Sequence, residues 1–176
     1  MNISFDFDGV LDIPAVQECA GRLITAGHAV FILTARFSDE QRNPNWGADW
    51  NDDLKAVAEY LGIPDERRLF AGEGLKSTLA KQHGVQLHID DDNGWVTDVR
   101  QVCPCVWFSK GAAGRCLEEL ENHALLHDMA KALRDVTTGY ENLMAACGHV
   151  PEQGNTYTHT GKARQLLARL PRRWKS

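Results

Sequence analysis

No apolar run in this chain approaches the roughly 18 residues that a membrane-spanning helix needs, so no segment is expected to cross a bilayer. The N-terminus has no basic segment followed by an apolar one, and no secretory leader is expected. Internal repeats and low-complexity tracts are absent. Cationic excess is absent too: the net charge is −5, so overall charge does not steer the chain to nucleic acid, although a local basic patch still could. Paired cysteine spacing is also missing. Cys19, Cys103, Cys105, Cys116 and Cys147 are odd in number and irregular, which predicts reduced thiols and a cytoplasmic protein. Cys103 and Cys105 flank a single proline, which is not the spacing of a zinc knuckle, and His83 and His88 read as surface or packed residues.

The sequence does have an ordinary globular composition, 43% apolar and 24% charged, over 176 residues. That length suffices for one domain with a real core and a small appendage. Strand-like and helix-like segments alternate through residues 2 to 110. Residues 2 to 7 read as a buried strand. A helix follows from Pro14, with Val16, Cys19, Ala20, Leu23 and Ile24 at helical spacing, and ends at Gly27. Ala29 to Leu33 is a second strand, and residues 37 to 47 are polar and rich in breakers, hence a loop. Residues 48 to 63 read as a helix with Trp50, Leu54, Val57, Ala58 and Leu61 on its apolar face, capped at Gly62. Three further strands are expected at 67–72, 85–90 and 105–109, with helices at 75–84 and 94–102 between them. This alternation predicts an open parallel α/β sheet with helices on both faces. Residues 113–176 form an expected helical extension to a core of residues 1–112, with a last helix near 162–170. Leu117, Leu120, Leu125, Met129 and Leu133 form an apolar stripe suited to a core or a dimer seam, so a homo-oligomer through these helices is one expectation.

The carboxylates of the core need explaining. Asp6 and Asp8 follow an apolar run, and Asp12 comes soon after. As strand residues Asp6 and Asp8 would share a face. Burying acids costs several kcal/mol unless something compensates them. In an open α/β sheet the chemistry gathers beyond the carboxyl ends of the strands. The second strand ends at Thr34 with Arg36 close by, the fourth at Asp90 and Asp91, and Lys76 starts the helix before it. Parallel strands bring all of these to one rim. Clustered carboxylates repel one another, and a divalent cation such as Mg²⁺ relieves that repulsion through hard oxygen ligands. Thr34 and Lys76 offer a hydroxyl and a cation to a phosphate. One aspartate is then free to act as a nucleophile and a second as general acid and base.

The segments DFDGV, ILTAR, a helix-borne lysine and IDDD, in that order, resemble the haloacid dehalogenase superfamily of phosphohydrolases. The resemblance covers residues 3 to about 110. It implies a Rossmann-like core, Asp6 as the nucleophile that forms an aspartyl-phosphate, and Asp8 as the acid that protonates the leaving group and later activates water. It implies that Thr34, Ala35 and Lys76 hold the phosphoryl oxygens. Mg²⁺ would be held by Asp6, the backbone carbonyl of Asp8, Asp90 and Asp91; Asp92 has no place in the pattern. Response-regulator receivers use the same residue types, but their acidic pair comes early and their lysine last; the order here favours the hydrolase.

Few residues separate Gly9 from Pro14, and the stretch from Thr34 to Lys76 is occupied by a loop, a helix and a strand. An uncapped core is therefore expected, open to a phosphate on a large molecule such as a nucleic-acid end or a protein, or else covered by the helical extension or a second subunit; a phosphorylated small molecule is the other partner class expected. Arg36 and Arg42 are candidate phosphate contacts, and Trp46 or Trp50 could stack on a base. The TAR triplet also resembles polynucleotide 3′-phosphatases and small nucleotidases of the superfamily, and residues 133–151 resemble helical segments appended to phage proteins. Two other readings compete: a phosphate- or metal-binding protein without turnover, and an interaction protein that uses the core as a scaffold.

Overall fold

The computed structural model describes residues 1–43, 47 and 49–146. Its strands are short and mostly apolar, and the three central ones are buried along nearly all of their length, as parallel strands are when helices cover them. They are β1 (Asn2–Phe5), β2 (Ala29–Thr34), β3 (Arg68–Phe70), β4 (Leu87–Asp90) and β5 (Cys105–Trp107). The helices between them are α1 (Pro14–Thr25), α2 (Asp52–Leu61), α3 (Lys76–Gln82) and α4 (Asn93–Val99). All four strand pairings are parallel, in the order β3-β2-β1-β4-β5. The fold is thus α/β, a five-stranded parallel sheet flanked by helices. Phe31 and Leu33 of β2 pack with Leu69, Ala80 of α3 and Val99 of α4 in one core cluster, while α1 packs against α2. Among the described residues no helix is long and apolar enough to cross a membrane.

The chain runs outward from β1 through β2 and β3, then returns to the other side of β1 for β4 and β5. This reversal opens a crevice beyond the carboxyl ends of β1 and β4, the place where open α/β sheets bind ligands. The register pairs Phe5 with Ile89, and the amide of Asp6 donates to the carbonyl of Ile89 at 2.9 Å. Asp6 and Asp90 therefore emerge side by side.

Of the boundaries that depart from the sequence reading, two bear on the crevice. β1 stops at Phe5 instead of 7, because the amide of Leu11 donates to the carbonyl of Asp6 and that of Asp12 to Phe7. These bonds wind Phe7–Leu11 into one wide helical turn, within which Gly9 sits at φ +78°. The second helix starts at Asp52, not 48. Asn51 is buried and donates through Nδ2 to the Phe37 carbonyl and to Asp39, and Arg36 takes the carbonyl of Trp50. Those side-chain bonds hold residues 50 and 51 outside the helix.

The chain forms two compact units, residues 1–122 and residues 123–176. The first contains the whole sheet, α1 to α4 and the start of α5 (Ala113–Ala146). Of the second, the rest of α5 is described. On α5, Leu120 is buried whereas Leu125 and Met129 are exposed, so the apolar stripe is not one continuous buried face. The expected last helix lies outside the described residues. Between β2 and β3 the described chain holds loop, α2 and a 3₁₀ turn at Asp65–Arg67.

Candidate active site

Lys76 is the centre of the crevice. Its side chain is completely buried, and Nζ lies 2.6 Å from Oδ1 of Asp6 and 2.7 Å from Oδ2 of Asp90. Leu75 in extended conformation starts α3, so the lysine leaves the first residue of that helix and crosses beneath the ends of β1 and β4. Asp6 is only 6% exposed. Burial pushes its carboxyl up to about 7 even against the pull of Lys76, and Asp90 adds to the rise. Burial acts the same way on Asp90, but His88 and Lys76 together outweigh it and hold that carboxyl below the usual range.

His88 explains how Asp90 stays charged. Residues 88 and 90 alternate along β4 on one side of the sheet. His88 is fully buried, its Nε2 3.0 Å from Oδ2 of Asp90 and its Nδ1 2.8 Å from Oγ of Ser4 on β1. Burial holds the imidazole pKa down, so the ring is neutral. A carboxylate only accepts, so Nε2 carries the proton and the serine hydroxyl donates to Nδ1. Oδ1 of Asp90 accepts from the amide of Asp92 at 2.9 Å. Asp92, which the sequence pattern left without a role, is the N-cap of α4: its Oδ1 accepts from the amides of Gly94 and Trp95 at 2.6 and 3.2 Å.

Asp91 is exposed and faces the turn at Gly9, where any side chain would collide with its carboxylate. Glycine there serves both the positive φ and this close approach. One oxygen each from Asp6, Asp90 and Asp91 lie within 4.8 Å of one another. Three carboxylates against one lysine leave uncompensated negative charge, and an all-oxygen set of this kind suits a hard divalent cation such as Mg²⁺. The cysteines belong to no such group among the described residues.

Asp6 and Asp8 do not share an environment, contrary to the single face a strand would give them. Asp8 follows the end of β1, and its side chain is 57% exposed. Arg36 grips it with a two-pronged bond, Nε to Oδ2 at 2.9 Å and Nη2 to Oδ1 at 2.6 Å. The same guanidinium holds Asp53 of α2 through Nη1 at 2.6 Å and Nη2 at 2.9 Å, and packs against the rings of Phe7 and Trp50. Arg36, expected at the substrate, is thus committed to two protein carboxylates. The hydroxyl of Thr34, at the end of β2, accepts from the amide of Arg36 at 3.2 Å, which leaves its proton free to donate. Ala35 lines the pocket with Asp6, Asp8, Gly9, Lys76 and Asp91.

The structure brings Asp6, Asp8, Ala35, Lys76 and Asp91 into one pocket, with Asp90 beneath it and Thr34 adjoining. Asp12 is exposed elsewhere, and Trp46 lies outside the described residues. Trp50, expected in the core, is 39% exposed and stacks on Arg36. Sequence reasoning missed Asp53, Trp95 and Trp107, and read His88 only as a surface or packed residue; it is packed, but against Asp90. For His88 a signal was present, a histidine two residues before a strand-end aspartate and so on its face. No family model matches the chain, and no curated protein matches it in sequence.

Proposed function

We propose that this chain is a Mg²⁺-dependent phosphomonoesterase of the haloacid dehalogenase type, working through a phosphorylated Asp6. The observation that carries this reading is the buried Lys76 bridging Asp6 and Asp90 at the sheet's reversal point, with Asp91 close enough to complete a cation site. Phosphoryl transfer asks a protein mainly for positioning and charge neutralisation, and this set offers both.

Asp6 Oδ1 is held by Lys76, which leaves Oδ2 as the attacking atom. Attack on phosphorus forms the Asp6–phosphate bond and breaks the bond to the ester oxygen. Asp8, at the open rim, enters this step protonated and gives that proton to the departing alkoxide. It then takes a proton from a water, which attacks phosphorus and returns Asp6 and inorganic phosphate. Lys76 and the Thr34 hydroxyl hold phosphoryl oxygens through both steps. Asp6, Asp90 and Asp91 would hold Mg²⁺, which supplies charge neutralisation at the phosphoryl group. Arg36 orients Asp8.

The test is phosphate release from a panel of nucleotides, phosphorylated oligonucleotides, sugar phosphates and a phosphopeptide, with and without EDTA. Release that depends on Mg²⁺ and vanishes in Asp6→Asn supports the reading. Mg²⁺ binding without release from any ester would leave a phosphate- or metal-binding protein instead.

A further inference from the structure

Of the tryptophans among the described residues, Trp95 lines the acidic pocket, while Trp50 and Trp107 touch residues at its rim, Arg36 and Asp91. Trp50 is already covered by Arg36. The other two flank the β4–α4 loop. Trp95, in the first turn of α4, lines the pocket, its ring 5.3 Å from Lys76 Nζ. Trp107 ends β5 in register with Asp90 and is 56% exposed. Its indole is nevertheless fixed: Nε1 donates to the carbonyl of Asp91 at 3.0 Å. An indole whose edge is pinned to the cation-site loop while its surface stays in water is a preformed stacking platform.

We propose that Trp95 and Trp107 recognise the leaving group of the substrate, and that this group carries a planar aromatic ring: the substrate class is a nucleoside monophosphate. The inference rests on the phosphohydrolase reading for where the phosphate sits. Charge selects a single nucleotide over a nucleic-acid end. Asp91 and Asp92 are exposed around the pocket, and Asp8 beside them shares its Arg36 with Asp53, so the rim is acidic on balance; it would meet one phosphate with Lys76 and a cation but repel the further phosphates of a polynucleotide. Base-on-aromatic stacking is worth about 1–3 kcal/mol per base, equivalent to roughly 5- to 150-fold in affinity.

The experiment compares adenosine 5′-monophosphate with ribose 5-phosphate, the same ester without its ring, in wild type, Trp107→Ala, Trp95→Ala and Trp107→Phe. A 5′-phosphorylated oligonucleotide is a third substrate. The expected result is a preference in kcat/KM for the nucleotide of about tenfold or more, carried by KM. Trp107→Ala should abolish most of it and Trp107→Phe should keep most of it. A ring-blind wild type, a preference that survives both alanine substitutions, or a better rate on the oligonucleotide would overturn the inference. Failure of the phosphohydrolase reading shows separately, as no phosphate from any ester. The platform is then judged by quenching of indole fluorescence in Asp6→Asn with Mg²⁺. Ring-dependent binding lost in Trp107→Ala supports it, and equal or absent binding of the two esters refutes it.

Discussion

Arg36 and Asp8 are joined by two parallel hydrogen bonds of 2.9 and 2.6 Å, so the exposed acid at the pocket rim is oriented by a guanidinium that itself is only 14% exposed. A lysine cannot reproduce that fork. If Asp8 is the proton donor, both Arg36→Lys and Arg36→Met should lower kcat by tenfold or more, since a positioned general acid is worth about 10²–10⁴. Because Arg36 is committed to Asp8 and Asp53, KM should change less than kcat. Steady-state kinetics on one ester reads the split, and an effect confined to KM would return Arg36 to a substrate contact.

Lys76→Met removes the single cation shared by two buried carboxylates. Breaking a buried pair in this way costs about 3–5 kcal/mol. The urea midpoint of metal-free protein should fall accordingly. Added Mg²⁺ should raise the variant's midpoint by more than that of the wild type, since it replaces part of the missing charge.

The raised carboxyl of Asp6 makes the metal-free fold sensitive to pH. Unfolded, this acid releases its proton near 4; folded, it keeps it to about 7. Between those values the folded chain binds more protons than the unfolded one, so stability falls as pH rises, by a total on the order of 4 kcal/mol. His88 acts with the opposite sign, because its lowered pKa costs stability as pH falls below its unfolded value. Urea midpoints in EDTA from pH 4.5 to 8, wild type against Asp6→Asn, isolate the aspartate: the decline towards pH 8 should be much smaller in the variant. At the proposed cation site Mg²⁺ would compete with the same proton, so its affinity should strengthen up to pH 7 and level off above.

His88→Leu leaves Asp90 with one donor fewer and Ser4 without its acceptor. If Asp90 ligates Mg²⁺ as proposed, loss of the partner that orients it should cost about 10- to 100-fold in metal affinity. Calorimetric titration of Mg²⁺ should show that loss, and His88→Gln should recover part of it.

Gly9→Ala forces a side chain into a left-handed backbone, costing about 1–2 kcal/mol, and drives the Asp91 carboxylate away. The variant should therefore lose Mg²⁺ affinity as well as stability. Lost stability with unchanged affinity would place Asp91 outside the cation site.

The alternation of short apolar runs with amphipathic segments was enough to read a parallel α/β sheet, because strand and helix periods and glycine stops are local properties of the chain. Asp6, Thr34, Lys76 and Asp90 were legible as candidates for the same reason: each stands at an element boundary, and parallel strands bring such boundaries to one rim. What each of them touches was not local. Whether Asp6 and Asp8 share a face depended on where β1 stops, which the carbonyls of Asp6 and Phe7 decide by accepting bonds from residues five positions on. Arg36 read as a substrate contact because its partners Asp8 and Asp53 lie 28 and 17 residues away. Ser4 and His88 are 84 residues apart and meet only because β1 and β4 are neighbours. Sequence alone determined which groups stand at the strand ends; strand order, which is a matter of long-range pairing, decided which of them are buried, charged and in contact.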